Sequence, residues 1–195
     1  MQFYIVDVFA EEKYAGNQLA VFRGVTDLST KQMQQIAREI NYSETTFIGS
    51  KIAENGGYSV RIFTPQQELP FAGHPTLGTA FILQQEVIRQ PIETVTLNLK
   101  VGQIPVTLSY QDQQIDLLWM RQNPPIFGQQ FDRATIAPIL ALNVDELDDR
   151  YPIQEVSTGL PFIIVPLKKQ RSLQQNWKAS MMIEVCRWIA WTEPG

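Results

Sequence analysis

The chain opens on a β-prone run in which Phe3, Ile5, Asp7 and Phe9 take turns with Tyr4, Val6 and Val8, so both faces of the predicted strand are largely apolar. A Gly16-Asn17 turn leads into a short second strand over residues 19–23. Ser29 followed by Gln32 is a capping-box start, and Met33, Ile36, Ala37 and Ile40 then recur at helical spacing as far as Asn41. That pattern predicts an amphipathic surface helix. Strands are predicted over residues 45–48 and 58–63, with the turn Asn55-Gly56-Gly57 between them.

Residues 74–88 break the amphipathic pattern, because Leu77, Ala80, Phe81, Ile82, Leu83, Val87 and Ile88 cover most of a helix's circumference. A helix apolar nearly all round is a buried one. Pro75 suits its first turn, which makes His74 the predicted N-cap. Three alternating runs follow, Val95/Leu97/Leu99, Ile104/Val106/Leu108/Tyr110 and Ile115/Leu117/Trp119, and read as an antiparallel meander. Pro124-Pro125 interrupts, Asp132 caps a helix through Ile136 and Leu140, and Asn143 starts a shorter one at Val144. Strands over 153–157 and 162–167 begin a second unit. The predicted class is α+β, a curled and mostly antiparallel sheet wrapped around a central helix. Residues 1–120 form the first half, and 121–195 a connector with an incomplete second half.

Composition narrows the chemistry. With 16 basic against 20 acidic residues, net charge −4 and no long run of either sign, the chain lacks the concentrated basic face that nucleic acid requires. One cysteine, Cys186, excludes an internal disulfide framework, and one histidine, His74, excludes the usual zinc clusters. Residues 1–14 lack the basic end and apolar stretch of a signal peptide, and no window approaches the ~20 apolar residues of a membrane span. The expectation is a soluble, cytoplasmic protein with no nucleic-acid or membrane partner.

Two titratable residues stand out by context. Glu44 lies at a helix-to-strand junction, where it is either an exposed edge residue or a cleft carboxyl whose raised pKa lets it move protons. His74 is either a backbone-bonded histidine or a side chain turned off the helix end by Pro75, beside N–H groups that attract anions. A carboxylate ligand suits that position. Gly73 and Gly78 have the spacing of a phosphate loop, but Thr79-Ala80 stands where Lys-Ser/Thr is needed. No nucleophile-elbow pattern occurs.

Three stretches together resemble the PhzF-like (phenazine-biosynthesis-type) isomerase family. They are Tyr4-Ile5-Val6-Asp7-Val8-Phe9 with Gly16-Asn17, then Ser43-Glu44-Thr45, then Arg61-Ile62-Phe63-Thr64-Pro65 leading through Glu68 to Gly73-His74-Pro75-Thr76-Leu77-Gly78. The resemblance implies a diaminopimelate-epimerase-like fold of two similar halves with the substrate between them. It implies that Glu44 is the acid/base moving a proton on a small carboxylate, that Gly73 and His74 help hold that substrate, and that no metal, flavin or nicotinamide takes part. Ala72 stands where cysteine or another small residue often appears in such proteins, and thiol-based racemisation is not expected.

The chain departs from the family after Leu167. The second half's Asp-Pro-Ala-Thr-Gly-Ser-type segment is missing, and residues 176–195 hold three of the four tryptophans. Met181, Met182, Val185, Trp188 and Ile189 recur close to helical spacing there, so the ending is expected to pack on the protein or across a homodimer. The first reading is therefore a glutamate-dependent isomerase impaired by the short second half. The second is a catalytically silent fragment that binds a small carboxylate or a partner chain. A thioesterase-like fold, also a sheet around a helix, lacks any thioester signature here.

Overall fold

The computed structural model describes residues 1–10, 12, 14–49, 54–121, 124–158 and 161–168, and the backbone of 188–191. The chain divides into two compact units, Met1–Arg121 and Gln122–Gly195.

The first unit is built on strands β1 (Gln2–Val8), β2 (Asn17–Arg23), β3 (Glu44–Ile48), β4 (Tyr58–Phe63), β5 (Glu68–Leu69), β6 (Thr94–Leu99), β7 (Gly102–Gln111) and β8 (Gln114–Met120), with helices α1 (Thr30–Ile40) and α2 (Gly73–Leu83). The strands form one sheet in the order β1-β2-β3-β4-β6-β7-β8, with β5 paired to β4. The β2–β3 and β4–β6 pairings are parallel and the rest antiparallel. Laid flat, seven strands would span about 30 Å. Yet α2 packs against β1, β2, β3, β6, β7 and β8, which include both edges. A helix about 10 Å wide can do so only if the sheet curls around it.

The apolar circumference of α2 is what the curl buries, with Thr79, Ala80, Ile82 and Leu83 all in the interior. Gly78 sets how closely the helix approaches: a Cβ there would stand 2.6 Å from Leu19 Cδ2 and 2.8 Å from Val8 Cγ2. Beyond Leu83 the helix loosens into a single π-turn, Gln84–Ile88, closed at Arg89 by its N–H to the Gln84 carbonyl.

The outer layer is α1, held at its start by the reciprocal Ser29–Gln32 capping box and closed by Asn41 in the left-handed region. Its Met33 and Ala37 pack with Ala20, Phe22, Val25, Phe47 and Phe63. Phe47 stacks on Phe22 at 5.2 Å between centroids and meets Phe63 edge-on at 5.4 Å. The turn before β4 has Asn55 and Gly56 both at positive φ, the mirror-type geometry that Asn-Gly favours.

Three expectations need correcting in this unit. Helix α2 is capped by Ala72, not His74, because Ala72 is extended and its carbonyl takes both the Thr76 N–H and the Thr76 hydroxyl, at 3.4 and 2.7 Å. That closure outweighs the preference of a pre-proline residue for extended backbone, so His74 is helical and Pro75 stays within the first turn. Second, the helix read over residues 74–88 ends at Leu83, and the rest of that run is the π-turn; β1, apolar on both faces, is an edge strand with Phe3 and Ile5 more than half exposed. Third, β3 begins at Glu44 itself.

The second unit pairs β9 (Ile126–Phe131), β10 (Ile153–Ser157), β11 (Pro161–Pro166) and β12 (Trp188–Trp191) in the order β12-β11-β10-β9. Helix α3 (Arg133–Ile139), capped by the Asp132 carboxylate, and a 3-10 turn at Val144–Glu146 precede β10. Ile136, Ala137, Leu140, Leu142, Leu147, Ile153, Val165 and Leu167 form its core. Arg150 donates to Asp148 and holds that carboxyl down to about 2. Strand β9 was not expected, since its middle is Gly-Gln-Gln without apolar alternation and nearly all of it is exposed. The helical spacing read over residues 181–189 ends instead in β12, whose backbone pairs parallel with β11. Met181, Met182 and Val185 lie outside the described residues.

Candidate active site

Glu44 is the first residue of β3, opposite Leu19 of β2, and shares its face with Thr46. The Thr46 hydroxyl is hydrogen-bonded to that of Thr79 on α2, at 2.8 Å and fully buried. This contact ties the strand to the helix and carries Glu44 toward the α2 N-terminus. There its Oε2 faces His74 Nε2 at 3.4 Å, with the two side chains 17% and 9% exposed. Two residues distant in sequence thus become a mostly buried carboxyl–imidazole pair.

Burial pushes the His74 imidazole below its ordinary range, opposed by a hydrogen bond with the Gln18 backbone. Burial thus disfavours the charged ring, and the two atoms face each other without a hydrogen bond between them. The Asn17 side-chain amide reaches the other ring nitrogen, Nδ1, at 3.4 Å. Phe9, whose own backbone is in the left-handed region, sets its ring at 6.5 Å from the imidazole.

Gly73 and His74 are the first two residues of α2, and no side chain caps this end. Their N–H groups and the positive end of the helix dipole lie beside the pair. A cavity of about 370 Å³ lined by Asp7, Tyr14, Gly16, Asn17, Gln18, Asn41, Tyr42 and Ser43 opens next to it, with Asn17 and Ser43 as shared boundary. Among the described residues no three His, Cys, Asp or Glu side chains converge to hold a metal ion, and no helix is long and apolar enough to cross a membrane.

The residues singled out from sequence, Glu44, Gly73 and His74, thus meet at one end of α2. Asn17, Gln18 and Phe9 were passed over as functional residues. Phe9 and Asn17 do stand in the first stretch that carries the family resemblance, which was the signal available for them.

A curled sheet around a central helix, with a carboxyl and an imidazole at the helix's N-terminus, is an epimerase-type architecture. Residues 6–192 match the model of the phenazine biosynthesis-like (PhzC-PhzF) protein family, and the chain belongs to that family. It is 36% identical over 172 residues to trans-2,3-dihydro-3-hydroxyanthranilate isomerase of Pseudomonas aeruginosa, an alignment covering 88% of this chain and 59% of that relative. The solved structure of a predicted epimerase from Pseudomonas aeruginosa superposes with TM-score 0.81 at 29% identity, over 96% of this chain and 68% of the other. A probable proline racemase from Agrobacterium radiobacter shares the fold alone, at TM-score 0.55 and 11% identity over 89% of this chain and 53% of its own. The chain spans little more than half the length of most of the curated relatives it matches.

Proposed function

We propose that this protein is a cofactor-independent isomerase that moves a proton on a small carboxylate, with Glu44 as the acid/base. The observation that carries the reading is the Glu44 Oε2–His74 Nε2 contact of 3.4 Å at a helix N-terminus that no side chain caps. A carboxylate substrate docks its negative charge against the N–H groups of Gly73 and His74. Its reacting carbon then lies within reach of Glu44, which takes the proton from one position and returns it to another. The His74 ring accepts or donates one hydrogen bond as the charge moves, without itself needing to ionise.

The compound in the Pseudomonas aeruginosa relative's name, trans-2,3-dihydro-3-hydroxyanthranilate, is the first to assay. Turnover supports the isomerase, whereas binding without turnover would make the chain a carboxylate-binding protein. His74→Ala, which removes a ring N–H donor to the bound carboxylate, is expected to weaken carboxylate binding by about tenfold or more, since hydrogen bonds to charged groups are worth ~1.5–3 kcal/mol. Stability should change less, because the helix keeps its backbone N–H groups. Titration calorimetry checks this, and equal affinity in the two proteins would remove His74 from the binding role.

We also propose that the working form is a homodimer, which would cover exposed apolar residues such as Phe3, Ile5 and Trp119. Light scattering at twice the chain mass is the expected result. A monodisperse species at the chain mass contradicts it.

A further inference from the structure

We propose that Glu68, clamped by Arg61, is a positioning residue that fixes the N-terminus of α2 against β3 and so sets the distance between Glu44 and His74. The inference rests on the proposed role of Glu44 and adds what holds the two sides of that site in register. Strand β5 is only Glu68–Leu69, paired with Phe63 and Ile62 of β4. Those two residues are in turn paired with Thr45 and Thr46, which follow Glu44 in β3. A strand this short has little backbone pairing to hold it, and a charge-assisted fork supplies the rest. The Glu68 carboxylate, 12% exposed, accepts from Arg61 Nε at 2.7 Å and Nη2 at 2.8 Å, and from Lys100 Nζ at 2.7 Å. Arg61 Nη2 also donates to Thr30 Oγ1 at 2.9 Å in the first turn of α1, and the guanidinium lies over the Phe63 ring, 5.1 Å from its centroid. Arg61 holds the Glu68 carboxyl below its ordinary range, against the effect of burial, so the fork stays charged at neutral pH. The turn between β4 and β5 is tied to α1 by Gln34 Nε2, which donates to the Thr64 carbonyl at 2.8 Å.

The clamp stands just ahead of α2. Pro70, Phe71 and Ala72 lead from Leu69 to Gly73, with Leu69 and Phe71 buried and Pro70 fixed in φ. From the other side, α2 is bound to β3 by the Thr46–Thr79 hydrogen bond. Thr79 lies about 7.5 Å along the helix axis from His74, so a pivot of roughly 8° about that point moves His74 by about 1 Å. A misplacement of that size can cost about a hundredfold in rate. The Glu68 clamp opposes the pivot, because it fixes the chain where it enters the helix. Arg61 and Glu68 lie on the face of the sheet that α1 covers, whereas Glu44 shares its face with Thr46 toward α2, so the clamp acts through the backbone.

Glu68→Gln keeps the shape but loses the charge that both cations bind. In the full chain, well below its melting midpoint, it is expected to lower kcat by about tenfold to hundredfold with KM changed less than about threefold, because the helix keeps its N–H groups while Glu44 is misaligned. The single histidine gives a readout free of turnover: the His74 ring signals in the NMR spectrum should move, since the ring's distances to Glu44, Asn17 and Phe9 change. An ion pair that served stability alone would lower the melting midpoint and leave the His74 signals of the folded protein in place, and that result overturns the proposal. If Glu68→Gln does not fold, Arg61→Lys decides by the same signals, as it keeps the charge but not the two-pronged fork. Moved signals then support the clamp, and unmoved ones overturn it. Signals that move in a chain that turns over no substrate, wild type included, support the clamp while the isomerase reading falls.

Discussion

Glu44→Gln is expected to lower isomerase turnover by about 10²–10⁴-fold, the range that a positioned acid/base group contributes. The amide occupies nearly the same volume, and its oxygen can still face His74 Nε2, so the 3.4 Å contact survives in geometry. What disappears is the proton-carrying group. The Thr46–Thr79 hydrogen bond that anchors this end of β3 is untouched, so thermal stability should stay close to wild type. Steady-state kinetics together with a melting curve separate the two effects. Activity above about a tenth of wild type in a folded variant would exclude Glu44 as the principal shuttle.

Phe47→Ala should cost about 3–5 kcal/mol of stability, the usual range for emptying a buried aromatic position. Phe47 is 0% exposed and lies between Phe22 and Phe63, beneath Met33 and Ala37 of α1. The loss is a large share of the 5–15 kcal/mol that typically separates folded from unfolded states. Because Phe47 is in the same strand as Glu44, the variant should also lose activity at temperatures where the wild type is fully folded. Denaturant unfolding measures the effect, and a loss below about 1 kcal/mol would show that the α1 layer is not the support of β3 that its packing indicates.

Much of the first unit was legible because its local signals agree with its packing. The Ser29–Gln32 box stands where the sequence put it, and the nearly all-round apolar pattern read over residues 74–88 marks α2, the helix that the sheet encloses. Where sequence reasoning failed, a contact distant in sequence or a backbone bond had overruled the local preference. The start of α2 was misplaced because the Thr76 hydroxyl closes on the Ala72 carbonyl, a bond that no capping preference at position 74 reveals. Strand β9 was missed because backbone pairing with β10, rather than apolar alternation, makes Ile126–Phe131 a strand.

The site itself divides the same way. Glu44 and His74 could be named from their segments, but their meeting depends on the curl of the sheet and on the Thr46–Thr79 bond. Asn17 could not be placed at the site, since a Gly-Asn pair ahead of a strand reads as an ordinary turn. Only the position of β2 beside the α2 N-terminus gives its amide a ring nitrogen to address.

If Glu44 carries a proton between the substrate and itself, isotope incorporation reveals it. A carboxyl that is 17% exposed exchanges its proton with solvent, so turnover in deuterated water should place one deuterium on the carbon that receives the proton. Mass spectrometry of substrate and product after partial conversion reads the label. The predicted result is incorporation by the wild type and none by Glu44→Gln in the same interval. Equal labelling by both proteins would contradict the claim.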